Sequence, residues 1–455
     1  MVQLLLVLAV IIFTASMILK GYKAELTLLL GGMILIFSTL IFGWGEVLPN
    51  SVHSTNFIGF EPFRYVQYLM GYRAGTLGLM IMSLVGFANY MNHIGANDVV
   101  VRLATKTLKH ITNKKIMLFC AYCMASVLQL AIPSATGLGV LLMGTLFPVL
   151  LALGLSRGSS VAIIASSLAV SYTPTGIDAI RASEALNMDL MTYIFNYQAP
   201  TSIATMIVIG FMHIIWQSHL DKKHPEQFEK ISNTKSKEIG KLAPSYYLIL
   251  PLLPIIMAVI FSNLIMSNIN IDVTTIVFIA MFISILCECF TQKTLKTIFN
   301  DFGVFSKGMG NAFNQVVFLL VAAGVFAHGI QATGAISNLI IMAKSIGLPS
   351  VAMTLVFAVI TLVAAVIMGS GNAPFLAFVE LIPNIASSMG ANMPAMLMPM
   401  QQASAMGRSM SPVSAVVIAS ATGAKLSPFE VVQRTSVPVL VGFVFHFIIV
   451  YLFYS

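Results

Sequence analysis

One arginine carries the sharpest chemical signal in this 455-residue sequence. Arg408 stands between Gly407 and the run SMSP at 409–412, with long apolar stretches on either side. No acid lies within a helical turn of it, and the nearest in sequence are Glu380 and Glu430. An arginine at the centre of a membrane helix costs roughly 2.5–3.5 kcal/mol on insertion scales, so a chain that keeps one there needs a partner for it. A ligand carboxylate is the natural partner, because the planar guanidinium binds both oxygens at once. The competing readings are snorkelling to an interface and a salt bridge to Glu380. Hydroxyls, amides and glycines cluster at four places: Ser134, Thr136 and Gly137; Thr173, Thr175 and Gly176; Ser370, Gly371 and Asn372; and Ser409, Ser411 and Ser414. Together they suit a polar ligand that needs several directed hydrogen bonds. Taken singly, each also fits close helix packing in a membrane. Asp178 and Arg181 are candidates for coupling, Asp178 as a protonatable group. With Glu184 they also fit an ion pair along one helix face at three-residue spacing. Asn89 and His328 occupy equivalent places in the two halves and read as packing or interhelical hydrogen-bonding residues.

The elements that carry these residues follow from composition. The chain is 58% hydrophobic and 9% charged, with a mean hydropathy of +0.92. Soluble domains carry roughly 25% charged residues, so this is an all-α integral membrane protein with the lipid bilayer as its solvent. Apolar runs of about 20 residues, enough to span a bilayer, recur from end to end. The first run is apolar at once and its lysines, Lys20 and Lys23, follow it, so it reads as a retained span with its N-terminus outside. The net charge of +8 fits cytoplasmic loops and argues against nucleic acid as a partner. Cys120 and Cys123 lack a matching ligand pair, and the histidines form no H-x-x-x-H, so neither a metal nor a cofactor is expected. An ATP-driven pump lacks its phosphate loop here, and an intramembrane enzyme lacks a Ser/His/Asp or H-E-x-x-H set.

The sequence repeats itself. Phe87-Ala88 and Gly95-Ala96 align with Phe326-Ala327 and Gly334-Ala335; IPSATG at 132–137 aligns with MGSGNA at 368–373. SYTP at 171–174 aligns with SMSP at 409–412, and Ala199-Pro200 with Val437-Pro438. The offset stays between 236 and 239. The first unit, 1–218, reads as spans at 2–19, 25–43 and 75–93, an amphipathic arm at 96–113, a re-entrant hairpin at 116–153, a broken helix at 158–190 and a last span at 197–217. The second, 244–455, repeats this with spans at 245–266, 272–290 and 313–332, an arm at 335–347, a hairpin at 350–388, a broken helix at 392–426 and a span at 431–453. A polar, basic linker at 219–243 joins them. Five spanning helices per unit is an odd number, so the two copies have inverted topology. Charge agrees: the first arm region carries Arg102, Lys106, Lys109, Lys114 and Lys115, the second only Lys344. Arg64, Arg73 and Lys344 then face out, Arg181 and Arg408 lie at membrane depth, and the remaining Lys and Arg face the cytoplasm. Both termini are expected in the periplasm and the linker in the cytoplasm. Inverted repeats with helices broken at the midplane are the pattern of a secondary transporter, which holds its ligand at the breaks.

The tip AIPSATGLG at 131–139, the stretch MSPVSAVVIASATG at 410–423, and the paired halves resemble the DcuC family of anaerobic C4-dicarboxylate carriers. The likeness covers nearly the whole chain. It implies a bacterial inner membrane location, succinate, fumarate, malate or aspartate as cargo, efflux or exchange, and a homodimer with an elevator-like transport domain. Sodium-coupled relatives in the same superfamily carry Ser-Asn-Thr at both tips. Here the tips read Ser134-Ala135-Thr136 and Ser370-Gly371-Asn372. Proton symport or antiport therefore fits better than sodium coupling. A carrier of the same fold for another small anion or an amino acid stays open.

Overall fold

A backbone inside a bilayer has no water to bond, and a helix satisfies its peptide groups within itself. In a computed structural model the chain is accordingly helical, with no strand among the described residues. These are all except 1, 21, 50–51, 109, 229–242, 262–264, 266–268, 270, 292–293, 336–337, 339–348 and 455. Most of the linker and nearly all of the second arm, with Lys344, lie outside them, as does Lys109.

The first half comprises α1 (Val2–Leu19), α2 (Ala24–Phe42), α3 (Ile58–His93), α4 (Ala96–Leu108), α5 (Lys114–Val127), α6 (Ala135–Ala152), α7 (Arg157–Ala165), α8 (Ile177–Ala185) and α9 (Leu190–Lys223). The second comprises α10 (Ser245–Ile260), α11 (Val273–Cys289), α12 (Leu295–Ala332), α13 (Ser350–Met368), α14 (Ala373–Met389), α15 (Met393–Ser409), α16 (Ala415–Ala424) and α17 (Pro428–Tyr454). Among the described residues, α2, α3, α6, α9, α12, α13 and α17 are each long and apolar enough to cross a membrane.

Two helices begin well before the apolar runs that mark them in the sequence. The runs start near 75 and 313, whereas α3 starts at Ile58 and α12 at Leu295. Polar residues such as Glu61, Arg64 and Arg73, or Lys296, Asp301 and Lys307, lower the hydropathy of these leading turns without stopping the helix. A single π turn joins the leading part to the apolar part in each, at Ala74–Gly78 and at Phe313–Val317. Such bulges are frequent at functional sites.

Elsewhere the helices stop inside the apolar zone. The backbone is non-helical over 166–176, between α7 and α8, and over 410–414, between α15 and α16. The α5–α6 connection opens at 131–134 and the α13–α14 connection at 369–372. Gly369 has φ +66°, and a β-carbon there would lie 2.9 Å from the Val413 carbonyl, so this tip sits directly on the second break. Ser134 Oγ accepts from the Gly137 amide at 3.2 Å, and Ser370 Oγ from the Ala373 amide at 3.1 Å. Each hydroxyl thus caps a helix start.

A second set of glycines brings long helices into backbone contact. A β-carbon on Gly32 of α2 would stand 2.7 Å from the Phe326 amide nitrogen of α12. One on Gly86 of α3 would stand 2.7 Å from the Phe305 carbonyl of α12, and one on Gly308 2.9 Å from Gly86 Cα. The trio α2, α3 and α12 is therefore packed as one unit in the small-residue manner of membrane helices. Gly32→Val should destabilise it by about 1–3 kcal/mol through overpacking. A thermal shift of the detergent-solubilised protein, compared with Gly144→Ala in open space, checks this; an unchanged midpoint would contradict the contact.

Candidate functional site

Three of these open segments, the two tips and the first break, meet around one cavity of about 530 Å3, within the roughly 300–1,000 Å3 range of small-molecule sites. Ser134 and Thr136 reach it from the first tip, Thr173, Thr175 and Gly176 from the first break, and Ser370, Gly371 and Asn372 from the second tip. Arg408 and Asp178 are the ionisable side chains in the lining. Exposed lining residues, Asn89, Ser134, Thr136, Asn311 and Gln315, mark the mouth. Buried ones, Ser171, Thr173 and Asp178, form the floor.

Some predicted residues do not line this cavity. Gly137 serves the Ser134 cap. Ser409 and Ser411 are buried: the Ser409 carbonyl accepts from Thr435 Oγ1 at 2.8 Å, and Ser411 Oγ accepts from the Val413 amide at 3.3 Å. A step of one residue turns a helical side chain by about 100°, so Arg408 and Ser409 cannot share a face. Arg181 points instead into an ion cluster with Glu184 and Glu380. His328 stacks on Tyr65, with Nε2 2.7 Å from the Val47 carbonyl. Several lining residues carry little signal in the sequence. Gln129 is a lone amide in an apolar stretch, Asn311 and Gln315 belong to an amide cluster with Asn314 in an apolar helix, and Asn89 read as a packing residue.

Arg408 does neither of the two competing things its sequence context allows. Glu380 is occupied by Arg73 and Arg181, and among the described residues no carboxylate lies within ion-pair distance of Arg408. Its Nη2 donates to the Leu168 carbonyl at 2.6 Å, and its buried Nε has no partner. Leu168 belongs to the first break, so the arginine of one half bonds the open backbone of the other. Glutamines complete that service. Gln129 Nε2 donates to the Val170 carbonyl at 3.0 Å. Gln402 accepts from the Ser171 amide at 2.9 Å and donates to its carbonyl at 2.7 Å. Asp178, in the first turn of α8, accepts from Gln401 Nε2 at 3.0 Å, and Gln401 in turn accepts from the Tyr193 hydroxyl.

The electrostatic sum at the cavity favours an anion. Helix N-termini carry a partial positive charge of about half a unit and free N–H donors. Those of α6 and α8 are in the lining, beside Arg408. Against them stands one carboxylate, Asp178, already held by an amide donor.

Comparison with known proteins agrees with the sequence resemblance. The family model for C4-dicarboxylate anaerobic carriers, DcuC, matches residues 2–455. The chain belongs to the DcuC family. The anaerobic C4-dicarboxylate transporter DcuC of Escherichia coli K12 is 46% identical over 443 residues, covering 97% of this chain and 95% of that one. A probable anaerobic C4-dicarboxylate transporter DcuC of Vibrio cholerae is 44% identical over 445 residues, covering 98% and 96%. Two solved transporters share the fold. The YdaH transporter of Alcanivorax borkumensis matches with a TM-score of 0.62 at 12% identity, over 94% of this chain and 97% of that one. MtrF of Neisseria gonorrhoeae, from a class of antimetabolite efflux pumps, matches with a TM-score of 0.64 at 11% identity, over 97% of both. At such identities the likeness speaks for the fold alone. This DcuC-family chain is a multi-pass membrane transporter and not an enzyme.

One glycine controls where Arg408 sits. A β-carbon on Gly371 would fall 2.5 Å from Arg408 Nη1 and 2.8 Å from Cζ. Gly371→Ala should displace the guanidinium and lower transport by the reconstituted protein by up to about a hundredfold, the scale of loss for a misplacement of about 1 Å, while yield and monodispersity hold. Transport equal to that of Gly144→Ala would show that the position of Arg408 is immaterial.

Proposed function

We propose that this chain is a secondary carrier that moves four-carbon dicarboxylates such as succinate, fumarate, malate and aspartate by exchange or proton symport. Its setting is the bacterial inner membrane, and its assembly a homodimer. The observation that carries this reading is Arg408, a guanidinium in a polar cavity with no ion-pair partner among the described residues. One carboxylate of the substrate meets Arg408 beside Asn372, and the other meets Ser134, Thr136 and the start of α6. Thr173 and Thr175 contribute hydroxyls between them. Family membership supports the dicarboxylate class, since the relatives carry that function in their names.

The two halves are read as inverted copies. Equivalent helix starts support this: α6 and α14 begin at 135 and 373, α8 and α16 at 177 and 415, and α9 and α17 at 190 and 428. The π turns at Ala74 and Phe313 recur at nearly the same offset. The first tip has Ala135 where sodium-coupled relatives have asparagine, so Asp178 is the proposed coupling group, binding a proton with the dianion.

Counterflow of labelled succinate in proteoliposomes tests the cargo: uptake should rise with internal dicarboxylate, and no counterflow with any four-carbon diacid would defeat the assignment. Arg408→Ala should abolish uptake in a folded protein and Arg408→Lys impair it strongly, because an ammonium lacks the planar fork. Asp178→Asn separates coupling from binding. Net uptake into wild-type vesicles should rise as external pH falls, since protonated Asp178 accepts the dianion; in the asparagine variant exchange should persist and that pH dependence vanish. A pH dependence retained by Asp178→Asn would place coupling elsewhere.

A further inference from the structure

From the cavity, α8 and α14 both run toward a closed ring of four charges. Arg73 on α3 bonds Glu184 on α8 at 2.7 Å and Glu380 on α14 at 2.6 Å. Arg181 on α8 bonds the same two carboxylates, at 3.0 Å and 2.5 Å. Opposite signs alternate around the ring, and it carries no net charge. The arginine side chains are 9% and 4% exposed, so water screens these pairs little. Asp178, on the cavity floor, is about one helical turn before Arg181, and Asn372 about two turns before Glu380. The ring therefore lies behind the floor, opposite the mouth.

Its members belong to two different units. Arg73 sits on α3, which Gly86 and Gly308 clamp to α12 by backbone contact. Glu184, Arg181 and Glu380 sit on the two half-helices that begin at the cavity. Among the described residues, the side-chain links from the α3–α12 unit to α8 and α14 are Arg73's two ion pairs and a long bond of 3.5 Å from Gln331 Nε2 of α12 to the Glu380 carbonyl. The other buried arginine cluster differs in this respect. Arg434 bonds Asp221, Gln217 and Gln227 where α7, α9 and α17 pack together, and it does not line the cavity described above.

A carrier must at some stage open the end of its cavity that is now closed. Here that requires α3 to part from α8 and α14, and Arg73 to give up both carboxylates. Arg181 travels with α8 and keeps Glu184 and Glu380 matched after Arg73 has left. We propose that Arg73 is a latch of the transport cycle: its two ion pairs hold the cavity floor shut, and their release accompanies opening toward the other face of the membrane. The inference rests on the carrier reading but not on which anion is carried.

Ser183, next to Glu184 on α8 and 5% exposed, reports on the closed end. In a background with Cys120, Cys123, Cys287 and Cys289 replaced, Ser183→Cys is labelled with a membrane-impermeant maleimide, in right-side-out and in inverted vesicles, without substrate. With Arg73 present, labelling is slow from both faces. With Arg73→Gln it should rise from one face by at least about tenfold, the expectation for breaking a sheltered ion pair, and Arg73→Lys should fall between. Unchanged labelling in a folded Arg73→Gln protein overturns the latch. So does a rise from both faces, which reports loosened packing. Should Arg73→Gln fail to fold, Glu380→Gln removes one of the two pairs and must shift labelling in the same direction. Because no substrate is present, failed diacid counterflow with one-sided labelling would remove the cargo assignment and leave the latch. Intact counterflow with unchanged labelling would do the reverse.

Discussion

A helix interrupted inside a bilayer leaves peptide groups with no water to bond, and each such group costs several kcal/mol in hydrocarbon. How those groups are satisfied governs the rest of this fold. Between α7 and α8 the Leu168 carbonyl takes Arg408, the Val170 carbonyl takes Gln129, and both peptide groups of Ser171 take Gln402. Arg408 and Gln402 lie on α15. That helix stays intact over 404–409, the stretch aligned with 166–171, where the first copy is open. The second half thus supplies Arg408 and Gln402 to the open backbone of the first half, while Gln129, Gln198 and Ser202 of the first half itself bond the Val170 and Ser171 carbonyls. A gap in one helix and an unusually polar neighbour are one structural solution seen from two sides.

This gives Arg408 two duties and sets their sizes against each other. A hydrogen bond to a charged group contributes about 1.5–3 kcal/mol, close to the roughly 2.5–3.5 kcal/mol that burying the arginine costs. The Leu168 carbonyl therefore offsets much of the insertion penalty without any ligand. It does not neutralise the charge. Glu380, the acid nearest in sequence on the N-terminal side, is held by Arg73 and Arg181, and Asp178 is held by Gln401. The positive charge and the helix starts beside it still require an anion, which is why the cavity and not the backbone contact points to function.

Much of this was legible in the sequence, and the limits have physical causes. Proline, glycine and small polar residues mark helix ends because they alter backbone geometry locally, so the tips at 134–137 and 370–372 and the breaks near 173 and 411 could be read from one chain. Side-chain direction could not be read there. Ser409 and Ser411 adjoin Arg408 in sequence yet are buried outside the cavity lining. The leading turns of α3 and α12 were hidden because hydropathy reports lipid contact and not helicity. The Arg181–Glu184 pair follows from its three-residue spacing, but the rest of the charge ring was beyond reach for another reason. Its partners lie 111 and 307 residues apart, and nothing local distinguishes Arg73 from a loop arginine. Amides such as Gln129 and Gln315 gain meaning only when the fold turns them toward a common space.

The internal alignment separates what is shared from what is added. Helix ends, prolines at 174 and 412, and the small-residue tips recur in both halves. The ionisable lining residues do not: Arg408 aligns with Val170, and Asp178 with Val416. A near-symmetric shell of helix ends is thus polarised by two unshared charges of opposite sign. On the carrier reading, a dicarboxylate with two equal ends meets two unequal half-sites, one holding the Arg408 guanidinium and one holding the hydroxyls of Ser134 and Thr136. The first carboxylate is neutralised on binding, and the second meets hydroxyls and a helix start, which offer donors without a full charge. On the proposed coupling, Asp178 belongs to the same asymmetry that holds the anion, because neither it nor Arg408 has a charged counterpart in the other copy.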